Sequence, residues 1–590
     1  MSIRESTTSN ARSKRASAPV PFYNTGHLPE LRSADIMSVP MELDCLTPES
    51  LPHVTRLYSD FLSWRTKRTP PPKLIGLYGQ RPDLSGIKSA ISSLSRGPAA
   101  YPKEMRAAVT GILRDQNAGF GGGRLSVEVA RNLDRLAGKA VAVVTGQQVG
   151  LFGGPAYTFY KALSALRIVE QLRKSGIEAV PIFWMASEDH DLAEINHVSW
   201  PTANGEERLE WTGDNALEGR SVGNIKLGDA ITPLLRRAEE ALSGSDSGEI
   251  EHILTSAYQP GATFGSAFAR MMSALFAKRG LVLLDPLDVR LHRLSAPLLI
   301  RAVNEQSELG AALLEQNKRL EKLGYHSQVK VTDRSTLLFA TVEKKRVALL
   351  KRNSGFVAGS REFSPPELLS EIESHSESFS PNALLRPVMQ DTLLPTAAYI
   401  GGPAEIAYFA QNRLLYDRLL GRMPAILPRA SFTIVEPLVQ RLLARYNLSV
   451  EDIFLGRQSL RAKMERQNLP RGLAGRFSAE EKKLAKMLEA LRNPIGKLDF
   501  TLVGALETAQ RKMLHQFGKL RAKCGRAEEF RSGVLGRHEQ SIRQVLYPQN
   551  GLQERSLNLL PFLARNGMQL LDSIEKRSGI DSAPHCIIRL

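Results

Sequence analysis

The sequence predicts an α/β fold: a parallel-sheet core with two inserted subdomains, followed by a helical, coiled-coil-like C-terminal region. Three observations predict it. Residues 141–196 run from an apolar strand through a Gly-rich loop and a long amphipathic helix into a second apolar strand, a βαβ pattern. A further strand, Gly-Gly-Pro turn and helix follow at residues 397–420, and a short apolar run at 280–284 ends on Asp285-Pro286. Beyond Glu436 the pattern turns helical to the end. A chain of 590 residues exceeds what one core usually holds, so two or three domains are expected.

Residues 1–20, rich in Ser, Arg and Thr, read as a disordered tail. Residues 21–139 read as a mainly helical part of the core, with breaks at 70–72 and 97–98 and a flexible turn at 121–123. The core proper, 140–197, begins with a continuous apolar run at 140–145, as a strand buried on both faces should. Pro155 suits the first turn of the next helix, where its missing N–H costs nothing. Phe159, Leu163, Leu166, Val169 and Leu172 form one apolar stripe, and Gly176 supplies the left-handed stop. Residues 179–186 are the second strand.

Residues 198–262 are polar, contain Asn204-Gly205, and read as a first, partly β insertion. The core resumes over 263–324 with a helix, the strand at 280–284 and further helices. Strand signals at 335–342 and 347–351 mark a second insertion, 325–380. The last core part, 381–435, holds a strand at 397–400, a helix at 404–420 and a closing strand segment at 424–435. In the helical region, 436–590, Ser478 and Glu481 have capping-box spacing, and Asn493-Pro494 breaks the run. Leu502, Leu506, Ala509, Met513, Phe517 and Leu520 step by fours and threes, the seam of an antiparallel helical hairpin. A seam of this kind needs covering, which favours a homodimer through this region.

Composition narrows the function classes. Net charge is +17, but Lys and Arg are spread along the helices without a basic stripe interleaved with aromatics. That argues against a nucleic-acid partner and leaves anionic small molecules. No apolar run is long enough to span a bilayer, and no signal-peptide pattern opens the chain, so no membrane role is expected. Cys45, Cys524 and Cys586 are too few and scattered for a disulfide framework or a Cys-based metal site, which fits a reducing cytoplasm. Cys586 beside His585 could be a reactive pair, but a packed or merely exposed thiol is the stronger reading.

Three constellations carry the chemistry. The first is Thr145-Gly146-Gln147-Gln148-Val149-Gly150-Leu151-Phe152-Gly153-Gly154-Pro155. Its glycines let a ligand approach the backbone, and the following helix offers N–H groups to an anion. Thr145, Gln147 and Gln148 can donate to phosphate or carboxylate oxygens; Tyr157 and Lys161 sit one turn apart on the same face. The spacing is neither a P-loop nor a dinucleotide fingerprint, and strand–helix packing alone is the competing explanation.

The second constellation follows Trp184: Glu188, Asp189, His190, Asp191 and Glu194, then Asn196 and His197. Clustered ionisable groups after a buried strand are costly unless they meet cations or substrate. His190 can serve as general base or hold a phosphate, and Asp189 and Asp191 can bind Mg²⁺ on ATP or an amino-acid amine. HExxH spacing is absent, so no protein-held metal is expected. The bland alternative is an acidic helix N-terminus. The third constellation is Asn382, Arg386 and Gln390 with Tyr399, Gly401, Gly402 and Glu405. Arg386 suits a carboxylate or phosphate, unless it forms an ion pair with Asp391 or Glu405.

The stretches TGQQVGLFGGPAYTFYKA, PIFWMASEDHDLAEINHV and SPNALLRPVMQDTLLPTAAYIGGPAEIAYFAQ, with Tyr547-Pro548-Gln549-Asn550-Gly551-Leu552-Gln553-Glu554-Arg555 near the end, resemble the BshC family, the cysteine ligases of bacillithiol biosynthesis. The resemblance runs from about Pro40 to the C-terminus. It implies a Rossmann-like core with two connecting inserts and a C-terminal coiled-coil domain. It also implies a ligase that joins L-cysteine to glucosaminyl-malate through an amide bond, with ATP or another nucleotide activating the cysteine. Ligases of this architecture resemble class I aminoacyl-tRNA synthetases, although neither synthetase signature is present here as written. By that analogy the helix start at 154–161 stands where ATP phosphates are held, and Leu427-Pro428-Arg429-Ala430-Ser431 where a second nucleotide loop lies. On this reading Glu188, Asp189 and Asp191 grip the cysteine amine or a metal ion, and His190 takes a proton from the sugar amine. Lys161, Arg386 and Arg429 neutralise phosphate or malate charge. The alternative is a metal-dependent hydrolase or deacetylase built on the cluster from Glu188 to His197; a helical interaction protein is the third.

Overall fold

The computed structural model describes residues 43–66, 71–95, 100–202, 205–213, 217–469 and 471–590. The tail expected at 1–20, and Pro70, Gly97, Pro98 and Asn204, lie outside these residues.

Five parallel strands form the central sheet: β1 (Val141–Gln147), β2 (Ala179–Met185), β3 (Val282–Leu284), β4 (Thr396–Gly401) and β5 (Ala425–Pro428). Their order is β5-β4-β1-β2-β3, all pairs parallel. The chain thus steps outward from β1 to β3, then crosses to the other side of β1 for β4 and β5. Strand order reverses at β1/β4, and such a switch point opens a crevice at the strands' carboxyl ends. This is the expected Rossmann-like α/β core.

Alternation along β1 explains why its first four residues are all apolar. Ala142 and Val144 face a cluster built with the helices Arg56–Thr66, Lys103–Phe120, Val127–Ala137 and Val289–Asn304. Val141 and Val143 face the opposite cluster, where helix α1 (Tyr157–Lys174) brings Ile168, Val169 and Leu172. A strand covered on both faces has no solvent side to make polar. Helix α1 stops at Gly176, whose φ of +76° a side chain would strain. Pro155, expected in the first turn, lies just before this helix.

The other expectations need adjustment in places. Between β2 and β3 lie an antiparallel hairpin, His197–Thr202 with Gly205–Glu210, and the helices Ile231–Ala241 and Ser247–Ala257. Before β4, Ser335–Val342 and Lys345–Arg352 belong to a five-stranded sheet that ends on Phe379–Pro381. Residues 424–435 are two strands, not one. β5 completes the central sheet, while Phe432–Val435 runs parallel to a C-terminal strand, His585–Arg589. Leu43–Leu46 pairs antiparallel with that same strand. Thus the N-terminal part is not purely helical, and neither is the end of the chain.

In the C-terminal region, Arg471–Ala490 and Leu502–Ser532 form the helical hairpin, with Phe477 on Phe517 at 5.3 Å between ring centroids. Ser478 lies inside the first of these helices, so its capping-box spacing marks no start. The break falls at Leu491, just before Pro494, which occupies the first turn of Arg492–Leu498. Leu506 is buried, whereas Met513 and Leu520 stay about half exposed.

Candidate active site at the strand ends

A cavity of about 660 Å³ opens at the carboxyl ends of β1, β2 and β4. Six basic side chains (Lys161, Lys330, Arg346, Arg386, Arg429, Arg555) and four acidic ones (Glu188, Asp189, Glu194, Glu405) line it. Its size suits a small-molecule ligand and its charge balance an anionic one.

On the β1 side, Lys161 reaches up from α1. Its Nζ sits 2.5 Å from Glu405 and donates to the Gly146 carbonyl at 2.7 Å and to Gln147 Oε1 at 2.9 Å. Burial pulls the lysine below its usual pKa, with Glu405 opposing. Burial pushes Glu405 up, but Lys161 and the Gly402 N–H outweigh it and hold the carboxyl below its ordinary value. Glu405 thus faces the lysine as a buried partner at ion-pair distance. Tyr399 donates to Glu405 at 2.5 Å, and Tyr157 bonds Gln147 at 3.2 Å.

Arg386 comes from helix α2 (Leu385–Leu393). It donates to Gln390 Oε1 at 3.0 Å and to the Tyr408 hydroxyl at 3.0 Å, and its guanidinium lies 5.9 Å from the Trp184 ring centroid. Neither expected ion-pair partner takes it. Asp391 accepts from Gln390 and Tyr416, and Glu405 pairs with Lys161. Arg386 thus faces the cavity held by neutral groups, a cation ready for an anion. Gln390 is fully buried and acts through Arg386 rather than on a ligand. Asn382 lines the cavity but accepts from the Leu384 and Leu385 N–H groups, capping α2.

After β2 the acidic cluster splits. Glu188 is buried and lines the cavity; burial pushes its carboxyl above the usual range, with His292 at 3.3 Å opposing. Asp189 accepts from Gln148 at 2.6 Å and from the His190 N–H at 2.8 Å. Burial pushes it up, but these bonds and Arg346 bring it down to about 2. Asp191 is exposed and caps the short helix Leu192–Ile195 by accepting from Glu194 N–H, outside the cavity lining. For Asp191 the acidic helix start is the right explanation. Asn196 bonds Trp211 and His197, and neither Asn196 nor His197 lines the cavity. Among the described residues, no group of three or more His, Cys, Asp or Glu is placed to hold a metal ion. The Asp189–Asp191 Mg²⁺ grip and the metal-hydrolase cluster both lack convergent ligands.

His190, expected as a general base, meets a cation from the inserted sheet. Arg346, from the inserted strand Lys345–Arg352, sits 3.1 Å from His190 Nδ1 and is anchored by Ser380 Oγ, the Pro381 carbonyl and the Phe339 ring. Two groups meet Nδ1, the Arg346 guanidinium at 3.1 Å and Asp189 Oδ1 at 3.5 Å; a guanidinium only donates, so the shorter contact makes Nδ1 the acceptor and puts the ring proton on Nε2. His190 then presents an N–H donor to a ligand.

Several glycine-loop residues turn away from the cavity. Thr145 is buried and donates to the Ile400 carbonyl at 2.9 Å, a strut across β1 and β4. Gly150, Gly153 and Gly154 pack inward. A side chain at Gly153 would meet Phe159, and the Gly154 carbonyl accepts from Asn558 at 2.6 Å. The Ala156 N–H just before α1 donates to the Leu557 carbonyl. Gly150–Gly154 and the Ala156 N–H are thus covered by the chain itself, whereas Gly146, Gln147, Gln148, Tyr157 and Lys161 of the same stretch line the cavity. Gly401 likewise receives the Arg429 N–H on its carbonyl and lies outside the lining, whereas Gly402 lines it. Arg429 is held bidentately by Glu554, at 2.6 and 2.9 Å, so its charge is already neutralised.

Sequence reasoning missed Arg346, His292 and Arg555 as site residues. Arg555 lines the cavity and follows Glu554 in the Tyr547–Arg555 stretch already singled out, which was its available signal. Arg346 had none, since a basic residue in the run Lys344-Lys345-Arg346 resembles any solvated charge.

Comparison with known proteins agrees with this architecture. Residues 41–430 match the model of the bacillithiol biosynthesis BshC N-terminal Rossmann-like domain, and residues 432–590 that of the BshC C-terminal coiled-coil domain. A protein of Koribacter versatilis is 40% identical over 93% of this chain and 99% of its own length. One of Solibacter usitatus is 37% identical over 91% and 98%, and one of Salinibacter ruber 33% identical over 85% and 91%. Each bears the name "Putative cysteine ligase BshC". With the two domain models matching residues 41–430 and 432–590 and relatives this similar, the chain belongs to the BshC family of bacillithiol biosynthesis.

Proposed function

We propose that this protein is a cysteine ligase that forms the amide bond between the carboxyl of L-cysteine and the amine of glucosaminyl-malate. The observation that carries the reading is Arg386: a cation at the switch-point cavity, held by Tyr408 and Gln390 and left without a carboxylate of its own. It suits the malate carboxylates, and the exposed Arg555 and Lys330 at the same cavity add to the attraction.

The amine attacks as a neutral nucleophile. The C–N bond forms, the bond from the activated acyl carbon to its leaving group breaks, and the amine proton passes to Glu188. Burial raises Glu188 above the usual carboxylate range, the direction a general base requires. The Nε2–H of His190 donates to the oxygen on which charge develops. A free carboxylate does not condense with an amine in water unaided, so the cysteine carboxyl must arrive activated. A nucleotide is the activator that the ligase reading calls for. The Gly150–Gly154 loop does not fit its phosphates, being covered by Leu557 and Asn558.

The test is to supply cysteine, glucosaminyl-malate and ATP, then measure bacillithiol by mass spectrometry, with a parallel arm lacking ATP. Arg386→Ala should cut kcat/KM about 10- to 100-fold, mainly through KM for the sugar substrate, as expected for a lost charged hydrogen bond. Glu188→Gln should instead lower kcat by about 100-fold or more. No product from the unaltered chain, or an Arg386→Ala variant matching it, would sink the reading.

A further inference from the structure

Cys45 and Cys586 stand at opposite ends of the sequence yet lie across from one another. They are direct partners in the antiparallel register of Leu43–Leu46 and His585–Arg589, with their Sγ atoms 3.2 Å apart. Opposed residues in such a pair have Cα atoms about 4.5–5.5 Å apart, inside the roughly 4.4–6.8 Å that a disulfide spans. Side-chain rotation is enough to bring the sulfurs to bonding distance. The two thiols differ in access: Cys45 is exposed and Cys586 is buried. Cys524, on the long helix Leu502–Ser532, has no such partner among the described residues.

We propose that Cys45 and Cys586 form a thiol–disulfide exchange site for low-molecular-weight disulfides, with Cys45 as the entry thiol and Cys586 as the resolving one. The Cys45 thiolate attacks one sulfur of the small disulfide. A mixed disulfide forms at Cys45, and the other half leaves as a thiolate. Cys586 then gives up its proton and attacks the Cys45 sulfur, closing the protein disulfide and releasing the second small thiol. The chain is oxidised by two electrons and one small disulfide is reduced to two thiols. Burial pushes the Cys586 thiol up to about 12, with Cys45 adding to the effect, so Cys586 does not react first and its step is the slow one. Closure fastens the N-terminal strand to the strand carrying His585, which bonds Ser431 and Thr433 beside the Arg429–Glu554 pair. The proposal stands apart from the ligase reading.

The test uses the full chain with Cys524→Ser, treated while folded with 2-hydroxyethyl disulfide, then alkylated, digested and analysed by mass spectrometry. The monomer fraction should yield one peptide pair joined through Cys45 and Cys586. Adding Cys586→Ser should leave a stable adduct of one reagent half on Cys45, and adding Cys45→Ser should leave Cys586 unmodified. A lasting adduct on Cys45 with no joined peptides in the chain that keeps both cysteines would overturn the proposal, as would no modification of either. The parental chain decides the matter even where the buried Cys586→Ser change prevents folding.

Discussion

The chain carries Gly-Gly-Pro twice, each time between a strand of the central sheet and the next helix, yet the two turns end in opposite environments. At Gly153-Gly154-Pro155 both glycines adopt positive φ, +88° and +68°, and α1 begins only at Tyr157. Asn558 and Leu557 from the far end of the chain cover this turn. At Gly401-Gly402-Pro403, Gly402 has an ordinary φ of −83°, and Pro403 is the first residue of its helix, Pro403–Leu419. Gly402 borders the cavity, and its N–H is taken by Glu405, which also pairs with Lys161. The first turn serves as a docking seat for the C-terminal region, the second as a wall of the site. Identical tripeptides in matching contexts were separated by what packs on them.

The largest test of this division is Glu405→Gln. It strips the buried Lys161 of its counter-charge, so unfolding should become easier by about 3–5 kcal/mol, and activity should fall with it. Wild-type activity with an unchanged denaturation midpoint would remove the second turn from the site. Acid should act on the other region. Burial holds His585 down to about 4, below its usual value near 6.5. A depressed histidine stays neutral when folded but takes up a proton when unfolded. Stability is therefore full above about pH 6.5 and declines toward pH 4, by on the order of 3 kcal/mol. Denaturant unfolding at several pH values should show that slope, and His585→Gln should flatten it.

Asn558→Ala should cost about 2–3 kcal/mol, because the buried Phe152 and Gly154 carbonyls lose their donor. Turnover per folded molecule should persist. If turnover collapses while stability holds, the first turn is catalytic after all. The smallest contrast is between single methyl groups. Gly154→Ala puts a side chain at φ +68°, ψ −151°, a region that essentially only glycine adopts, and should lower stability by about 1–3 kcal/mol while sparing activity. Gly402→Ala meets only ordinary contacts with Arg429 and Glu405, so it should leave stability nearly unchanged while narrowing the cavity wall and slowing turnover.

Much of the core was legible because its signals are local. Strand residues buried on both faces must be apolar in succession, as Val141–Val144 of β1 and the whole of β2 are, and Gly176 had to end α1. The strand His585–Arg589 was not legible: its partners are Leu43–Leu46 and Phe432–Val435, one at the opposite end of the sequence. In the site, Lys161, Glu188 and Arg386 could be picked out by residue type and position. Their states could not. The tautomer of His190 depends on Arg346, and the neutralisation of Arg429 on Glu554.

The sequence by itself determined the parallel sheet, its helices, the helical hairpin and the family, because hydrophobic period, turn residues and long motifs are properties of neighbours along the chain. Only the tertiary structure decided which Gly-Gly-Pro turn meets the cavity, which cations remain unpaired, and that Cys45 meets Cys586. Charge, proton position and thiol chemistry depend on atoms within a few ångströms, and those atoms arrive from segments hundreds of residues away.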